Sequence, residues 1–419
     1  MPSEDKMPID VRYAYLRREQ KQYARSSRQK RSRKLDHMEQ ITGLNRKTPI
    51  RHMNSKIERK PRRRERGKTY GPRVDDALRV ISESLDHICA ERLTPQLALM
   101  AKHLAAHGEL QVSSELLQKL EHISVSTVRR RLSKFKHLDQ WQAPKRQAPR
   151  QSNPLTRTVP MKRIPWNEQE PGHFEVDLVH HSGPSSAGQY VNTLQMIDVA
   201  TGWSERVAIL GRSQLVMADA FMRIIFRLPF RIREIHPDNG SEFFNHHLLR
   251  LWQDLVKGVQ ISRSRPYHKN DNRFVEQKNA TLVRAYLGDR RLDTVKHTRL
   301  LNQIYDKMWL YHNFFQPVMR LTEKTVLSAP GLAYRVRRRH SPATTPFQRL
   351  CATGALCETR RQRLQDRFDQ TNPRELRKEI NMLLDQLFDL PGAAPQTSQN
   401  VHLTLTMLPH RHRKERAVQ

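Results

Sequence analysis

The stretch HFEVDLVHH, residues 173–181, decides the fold predicted for this chain. Within it, Phe174 and Val176 alternate with Glu175 and Asp177, and this two-residue period is typical of a half-buried β-strand. The carboxylate of Asp177 is therefore predicted to project from a sheet.

Two more acids follow at the predicted ends of elements. Asp238, in the string EIHPDNGSEF, stands directly before an Asn-Gly pair, so the chain is predicted to turn sharply just past this carboxylate, at a strand end. Glu276, in the string YHKNDNRFVEQKN, falls within the first turns of a helix-forming run that Asp271 or Asn272 can cap. Two sheet carboxylates, Asp177 and Asp238, are thus expected to face one helix carboxylate.

Three carboxylates in this arrangement suit a divalent metal site. Mg²⁺ takes oxygen ligands, keeps several waters, and is held by a few carboxylates together with the oxygens of a substrate phosphate. With two such ions, one activates the attacking oxygen and the other stabilises the leaving oxygen of an in-line displacement at phosphorus. We expect Asp177, Asp238 and Glu276 to hold two Mg²⁺ ions, for which Mn²⁺ is expected to substitute.

The strings FEVDLVHH, IDVATGW, HPDNGSEF and YHKNDNRFVEQKN resemble the catalytic core of retroviral-integrase-like DDE transposases encoded by bacterial insertion sequences. By motif order and spacing the resemblance covers about residues 165–320. It implies an RNase H-like fold, with Asp177, Asp238 and Glu276 as the acidic triad. The last two acids are separated by 37 residues, slightly more than is usual in the family, which a short insertion near Lys257-Gly258 explains.

Each acid also has a purely structural interpretation. A single Asp at a strand end is more often a turn or cap former than a ligand, and Asp-Asn-Gly alone is a common turn. Three acids in the family's order favour the catalytic interpretation. Among the neighbouring acids, Asp198 is predicted to fix the turn after the second strand, and Asp271 to cap a helix. Glu175 is predicted to alternate with Asp177 or to face solvent, and none of these neighbours is expected to bind metal.

The charge of the chain indicates a nucleic-acid partner. Its 419 residues contain 75 Lys and Arg against 42 Asp and Glu, a net charge of +33. Such an excess calls for a polyanion, because self-repulsion would otherwise disfavour the compact state. Residues 1–70 alone hold 22 Lys and Arg against 8 Asp and Glu, a net charge of +14. Double-stranded DNA is the expected partner.

Residues 1–70 are predicted to form a basic helix-turn-helix module with an arginine-rich arm. Apolar residues recur at helical intervals over residues 28–57, interrupted at Thr42-Gly43-Leu44 and restarted at Thr48-Pro49. The alternatives are an ordinary basic helical hairpin and, for residues 59–68, a solvated linker. The predicted DNA contacts of this module are Arg46, Lys47, Arg51, Arg62, Arg63 and Arg64.

Residues 71–137 are predicted to form a second helical DNA-binding module. Three apolar helical faces precede the string ISVSTVRRRLSKF, in which Ser126 is expected to cap a short helix that buries Val128 and Leu132. We interpret this helix as the recognition helix of another helix-turn-helix, and the alternative is a basic packing helix. Its predicted DNA contacts are Arg129, Arg130, Arg131 and Lys134.

The rest of the chain divides into three segments. A proline-rich basic linker is predicted over residues 138–170, and an α/β RNase H-like core with a mixed sheet over residues 171–320. Residues 321–419 are predicted to be a C-terminal helical segment with a helix near 373–390, a short strand at 401–407 and a basic tail. The predicted elements of the core are strands near 173–180, 189–198 and 203–210, a helix near 213–228, a strand near 231–237, a helix near 241–255, a strand near 258–263 and the helix of Glu276. Its predicted DNA contacts are Lys269, Arg273, Lys278 and Arg284.

Other classes of protein are disfavoured. Cys89, Cys351 and Cys357 lack paired spacing, so neither a disulfide framework nor a structural zinc site is predicted. No apolar stretch is long enough to span a membrane, and the start of the chain, MPSEDKMPID, lacks the apolar core of a secretory signal. A cytoplasmic, nucleoid-associated protein is expected.

These observations predict a transposase of a bacterial insertion sequence. It is expected to bind terminal inverted repeats through residues 1–137, to hydrolyse a phosphodiester, and to join the freed 3′ hydroxyl to target DNA as a dimer or larger homo-oligomer. One alternative is a DNA-binding regulator that keeps the fold as a scaffold, which the intact triad disfavours. The other is an RNase H-type nuclease that cuts without joining, which the helical DNA-binding modules disfavour.

Overall fold

The chain divides into two compact units, Met1–Thr69 and Tyr70–Gln419. The computed structural model describes residues 7–58, 69–135, 164–165, 167–237, 243, 252, 254, 256–264, 272–327, 335–394 and 397–407. Within these ranges the first unit is helical, and the second contains helices and two sheets.

Over residues 7–58, the first unit contains three helices, α1 (Ile9–Ala24), α2 (Arg28–Thr42) and α3 (Lys47–Met53). α2 ends at Gly43, whose φ of 64° lies in the left-handed region that favours glycine. Met38 is fully buried at the centre of this unit. The two helices predicted from the apolar pattern are confirmed, and α1 adds a third that packs on both.

Five short helices open the second unit. They are α4 (Pro72–Ser84), α5 (Ala90–Leu93), α6 (Leu97–Ala106), α7 (Ser114–His122) and α8 (Val125–Leu132). Ser124 caps α8, because its Oγ atom accepts a hydrogen bond from the backbone N–H of Thr127 at 3.3 Å. The prediction of Ser126 as the cap is therefore wrong, while the burial of Val128 is confirmed.

These five helices share a continuous hydrophobic core with the sheet that follows. Tyr311 Oη donates a hydrogen bond to Ser84 O at 2.9 Å, and Gln316 Nε2 donates one to Leu85 O at 3.0 Å. The sequence pattern separates residues 71–137 from the core as a module of their own, whereas the structure places their helices in the same compact unit.

Five strands form a mixed sheet in the order β3-β2-β1-β4-β5. Strands β1 to β3 are antiparallel, whereas β4 runs parallel to β1 and β5 parallel to β4. The bounds are β1 His173–His180, β2 Val191–Asp198, β3 Ser204–Leu210, β4 Glu234–Pro237 and β5 Gln260–Ile261. The predicted α/β core, a mixed sheet flanked by helices, is confirmed.

The two faces of β1 pack against different helices. Val176 belongs to the cluster that contains α9 (Gln214–Arg227), whereas Val179 belongs to a second cluster. Because successive side chains of a strand point to opposite faces, Glu175 and Asp177 share the face of Val179. Alternation along this one strand therefore directs both acids away from α9.

The helix that carries Glu276 changes type along its length. It is α-helical over Arg273–Lys278, π-helical over Asn279–Arg284 and α-helical again over Ala285–Leu287, and these three segments together are called the Glu276 helix. π-helical turns are rare and occur frequently at functional sites. The sequence predicts the helix but not its π-helical middle.

The remaining elements are α10 (Val295–Leu310) with a π-helical end (Tyr311–Phe315), the hairpin β6 (Leu321–Leu327) and β7 (Arg335–His340), α11 (Pro346–Ala352), α12 (Glu358–Gln370) and α13 (Pro373–Asp389).

The predicted helix near 373–390 is confirmed, and the hairpin was not predicted. The predicted strand at 401–407 is wrong, because the Asn400 side chain accepts the backbone N–H of His402 at 3.1 Å and caps a 3₁₀ turn at Val401–Thr404. Of the predicted helix near 241–255, the structure describes only residues 243, 252 and 254.

Within the described ranges, no helix has both the length and the apolar character needed to cross a bilayer. Cys89, Cys351 and Cys357 are free thiols.

Candidate active site

Asn279 joins Asp177 to the Glu276 helix. Its Nδ2 atom donates a hydrogen bond of 2.7 Å to Asp177 Oδ2. Asn279 follows Glu276 by three residues, and residues three apart lie on the same face of a helix. The helix face that carries Glu276 is therefore turned toward Asp177. The Glu276 side chain is exposed and Asp177 is half-buried, so this side of the site opens to solvent.

A carboxylate from β1 caps the Glu276 helix. Glu175 Oε2 accepts hydrogen bonds from the backbone N–H groups of Phe274 and Val275, at 2.7 and 2.9 Å. These N–H groups belong to the first helical turn and have no partner inside the helix, and the N-cap residue, Asn272, makes no side-chain cap. Glu175 is fully buried. The expectation that it faces solvent is therefore wrong, because its side chain lies under the start of the helix.

The environment of Glu175 favours its neutral form. Burial raises the pKa of Glu175 to about 7, against the opposing effects of the two backbone N–H donors and the Arg273 guanidinium. Arg273 and Arg320 both lie over the ring of Phe274, with their guanidinium carbons 4.5 and 4.6 Å from its centroid. The first turn of the Glu276 helix is thus held by a carboxylate below and by two cations stacked on its aromatic residue.

A row of polar side chains crosses the sheet beneath the Glu276 helix. Asp177 lies opposite Gln195 in β2, and Gln195 lies opposite Arg206 in β3. The buried Arg206 donates hydrogen bonds to Leu282 O at 3.1 Å and Met308 O at 3.3 Å. Burial lowers its pKa to about 10. Arg206 therefore ties the π-helical segment to α10 while it forms the end of the row that begins at Asp177.

Several buried polar atoms around Asp177 lack hydrogen-bond partners among the described residues. They are Glu175 Oε1, Gln195 Oε1 and Nε2, Asn272 Oδ1 and Nδ2, and Asn279 Oδ1. Buried polar atoms are almost always paired, and a group of unpaired ones calls for an ion, a water or a ligand. These six atoms surround the start of the Glu276 helix and its contact with Asp177. These unpaired atoms make this part of the site a candidate for binding a polar species.

The third predicted acid, Asp238, lies outside the described residues. The residue before it, Pro237, ends β4 and pairs in register with Val176, the residue before Asp177. Over the described part of the chain, no group of three His, Cys, Asp or Glu side chains is placed to hold a metal ion. The complete triad and its two Mg²⁺ ions remain a prediction.

Asp198 has the structural role predicted for it. Its Oδ1 atom accepts the backbone N–H of Gly172 at 2.8 Å, and its Oδ2 atom accepts the backbone N–H of Thr201 at 2.8 Å. The turn between β2 and β3 is thereby fixed to the start of β1. The predicted cap Asp271 lies outside the described residues.

Sequence similarity to another protein places the chain in a family. No protein-family model matches it. The uncharacterized protein y4rM of Sinorhizobium fredii (strain NBRC 101917 / NGR234) is 35% identical over 328 residues, which cover 78% of this chain and 91% of that protein. This chain belongs to the y4rM family.

Two solved structures also align with this y4rM-family chain. The cryoEM structure of the simian T-cell lymphotropic virus intasome in complex with PP2A regulatory subunit B56 gamma matches 52% of this chain and 69% of that chain, with 15% identity and a TM-score of 0.29. The crystal structure of the catalytic core domain of BIV integrase matches 35% of this chain and 85% of that chain, with 19% identity and a TM-score of 0.26. These TM-scores are too low to define the fold of this chain. The fold is therefore described by the order and direction of its strands.

The predicted DNA contacts of the core have different surroundings. Arg284 is exposed and pairs with Asp289 at 3.1 Å, and Arg273 stacks on Phe274. Burial, together with the charges of several neighbouring arginines, lowers the pKa of Lys278 to about 7. Lys269 lies outside the described residues. DNA contact by these four side chains stays a prediction.

The predicted contacts of α8 divide into outward and inward residues. Arg130 and Lys134 are exposed. Arg129 is exposed but pairs with Glu91 of α5. Arg131 is half-buried, pairs with Asp75 of α4, and donates a hydrogen bond to Tyr70 O at 2.7 Å. Arg131 therefore holds α8 against α4, a role that charge counting alone does not reveal.

In the first unit, Lys47 and Arg51 are exposed on α3. Arg46 pairs with Asp36 and donates a hydrogen bond to Ser32 Oγ at 2.9 Å, so it links α3 to α2. Arg62, Arg63 and Arg64 lie outside the described residues. The predicted helix-turn-helix contacts of this unit also stay predictions.

Three site residues escaped sequence reasoning: Glu175, Gln195 and Asn279. The alternation that directs Asp177 toward the Glu276 helix also directs Glu175 there, so the first was within reach of the strand pattern. Gln195 could be found only through the register of β1 and β2, and Asn279 through its spacing from Glu276.

Proposed function

We propose that this y4rM-family chain is a DDE transposase of a bacterial insertion sequence. The single observation that carries the proposal is the set of unpaired buried polar atoms between Asp177 and the start of the Glu276 helix. They lie where the resemblance to DDE transposases expects two of the three metal-binding acids. A mixed sheet flanked by helices, with strand β4 ending beside Val176, supports the same assignment.

The residues present suit a hard divalent ion. Mg²⁺ prefers oxygen ligands, and the carboxylates of Asp177 and Glu276 and the amide oxygen of Asn279 supply them. Asp238 would complete the set. Two Mg²⁺ ions, replaceable by Mn²⁺, supply activation of an attacking oxygen and stabilisation of a leaving oxygen when bound.

The chain's own residues would orient the reacting groups. Asn279 Nδ2 donates to Asp177 Oδ2, and the backbone N–H of Leu178 donates to Asp177 Oδ1 at 2.9 Å, so both hydrogen bonds fix the orientation of this carboxylate. Gln195, directly opposite Asp177 on the neighbouring strand, would offer its amide to a water or a phosphate oxygen. Arg273 on the same helix places positive charge near an incoming phosphodiester. Water would be the nucleophile for cleavage, and the freed 3′ hydroxyl the nucleophile for strand transfer.

The basic helical regions would bring DNA to this site. We propose that α3 and α8 bind the terminal inverted repeats through Lys47, Arg51, Arg129 and Arg130. Because two element ends must be joined together, a dimer or larger assembly on paired ends is expected, with target DNA as a second partner.

The test is a Mg²⁺-dependent assay on labelled element ends. A transposase gives both nicked ends and products joined to target DNA, and a chelator abolishes both. A nuclease gives nicked ends alone, and a DNA-binding regulator gives retarded complexes without cleavage. Inverted repeats with short direct duplications on either side of the gene would supply the substrate, and their absence together with a lack of joined product would contradict the proposal.

A further inference from the structure

Glu175 links the two elements that carry the proposed catalytic acids. It lies two residues before Asp177 in β1, and its Oε2 atom accepts the backbone N–H groups of Phe274 and Val275 at 2.7 and 2.9 Å. These N–H groups directly precede Glu276 in the first turn of its helix. One side chain therefore sets the spacing between the strand of Asp177 and the turn of Glu276.

This cap comes from far away in the sequence. Glu175 and Val275 are 100 residues apart, whereas the local N-cap residue, Asn272, makes no cap hydrogen bond. A neighbouring residue could cap the helix without fixing its position on the sheet. A cap from β1 does both, because the acceptor belongs to the same strand as Asp177.

We propose that Glu175 is a positioning residue: by capping the Glu276 helix from β1, it holds the carboxylates of Asp177 and Glu276 at the separation that a shared divalent ion needs. The inference rests on the proposed function of these two acids. The positioning role belongs to the Oε2 atom of Glu175, which acts through the helix that it caps.

The test compares Glu175→Ala and Glu175→Gln with Asp198→Ala in the full chain. Asp198 is a matched control, since it is also a fully buried carboxylate that accepts two backbone N–H groups, but it fixes the β2–β3 turn. The Mg²⁺ concentration for half-maximal joining should rise about 10–100-fold in Glu175→Ala, the range for loss of a residue that supports a metal ligand. Glu175→Gln keeps an acceptor oxygen and should remain within about threefold of the wild type.

Two results would overturn the positioning role. In the first, Glu175→Ala and Asp198→Ala lose the same thermal stability, and the Mg²⁺ midpoint of Glu175→Ala equals that of the wild type. Glu175 would then be merely structural. Alternatively, Glu175→Gln could be as impaired as Glu175→Ala, which would exclude the cap as the cause.

A second readout separates this inference from the proposed function. If the wild-type chain joins no DNA, the proposed function fails, and the rise in thermal midpoint on adding Mn²⁺ then decides the role of Glu175. Wild type and Glu175→Gln should both show the rise and Glu175→Ala should lose it. No rise in the wild type, or an equal rise in all three, contradicts the positioning role.

The hairpin β6–β7 carries a second, independent inference. In the paired register Lys324 lies directly opposite Arg338, and both side chains are exposed. Like charges in this position destabilise a hairpin unless an anion lies nearby. Arg337 is also exposed, and Arg339 pairs with Glu323 at 3.2 Å.

The geometry points to duplex DNA as the partner of this hairpin. A two-stranded ribbon fits the major groove, and basic side chains on both of its faces can reach phosphates on both groove walls. The basic residues of this hairpin are not among the DNA contacts predicted for the helical regions or for the Glu276 helix.

Its test compares the double variant Arg337→Gln/Arg338→Gln with Arg361→Gln/Arg363→Gln, which removes the same charge from the exposed side of α12. Binding of random duplex DNA is measured over a series of salt concentrations. Loss of two phosphate contacts should flatten the slope of log K against log salt by about two in the hairpin variant and leave the control unchanged. Equal slopes in the two variants, or a loss confined to single-stranded DNA, would overturn the assignment.

Discussion

The region around the Glu276 helix and the hairpin β6–β7 use charged residues in opposite ways. Around the helix, Glu175 and Arg206 are buried and bonded to backbone groups of other elements. On the hairpin, Lys324 and Arg338 are exposed and face each other. In the first region a single residue fixes geometry, so its loss should be severe. In the second, charge acts collectively on a partner, so each residue should contribute little.

The largest difference between the regions is expected for chemistry. Asp177→Asn keeps the size of the side chain but removes a charge that the proposed ions need, so joining should fall by more than about 100-fold, the upper end for loss of a residue that only supports a metal ligand. Arg338→Gln should change joining only a few-fold, in line with loss of about one phosphate contact. Single-turnover rates of joining at saturating DNA are measured for both variants. Comparable losses in Asp177→Asn and Arg338→Gln would contradict the difference between the two regions.

The contribution of a buried charged residue to stability is tested at Arg206. Arg206→Met leaves the carbonyl groups of Leu282 and Met308 without their buried donor, and each such group costs roughly 1–3 kcal/mol. The free energy of unfolding should therefore fall by about 2–6 kcal/mol, as measured by urea denaturation. A loss below about 0.5 kcal/mol, the range of surface substitutions, would show that the π-helical segment does not depend on this arginine.

Two neighbouring arginines of α8 have different surroundings, because one holds another helix and the other is exposed. Arg131→Ala breaks the ion pair with Asp75 and the hydrogen bond to Tyr70 O, so the free energy of unfolding should fall by about 1–2 kcal/mol. Arg130→Ala removes an exposed side chain and should stay within about 0.5 kcal/mol of the wild type while it weakens DNA binding. Thermal unfolding and gel retardation of both variants distinguish the roles, and the reverse pattern would contradict them.

The smallest effect is expected from a buried ion pair at the start of β1. The hydrogen bond from His173 Nδ1 to Glu234 Oε2, 2.8 Å long, raises the pKa of His173 above its usual value of 6.5. A raised folded-state pKa means that this stabilisation is fully present below about pH 6.5 and is lost as the pH rises through the folded-state pKa. The difference in unfolding free energy between the wild type and His173→Asn should therefore shrink from pH 6 to pH 9. A difference that grows with pH would contradict the assigned pair.

The sequence predicts the sheet well because its strands are set by local alternation. The bounds of β1 agree with the predicted 173–180, and α9 and α13 also fall where the apolar pattern places them. The same pattern could not separate exposed arginines from arginines that pair with other helices. Arg130 and Arg131 are adjacent and chemically identical in the sequence, and only the position of Asp75 on α4 distinguishes them.

Within the site, the sequence predicts the acids but not what holds them. Asp177 and Glu276 stand in recognisable strings, whereas the cap formed by Glu175 depends on a contact across 100 residues. The π-helical segment is a further example, because Arg206, which donates a hydrogen bond to Leu282 O in this segment, belongs to β3 and is 76 residues away in the sequence. The hairpin β6–β7 was missed because its charge run hides the alternation that marks a strand.

We propose that Glu276 takes part in metal-dependent chemistry and not in holding DNA. Its most direct test measures, on the same labelled element ends, the affinity of Glu276→Gln for DNA and its rate of Mg²⁺-dependent joining. We expect binding within about threefold of the wild type and joining reduced by more than about 100-fold, because the substitution removes a metal-binding charge and changes no predicted phosphate contact. Joining at a near-normal rate, or equal losses of binding and joining, would contradict it.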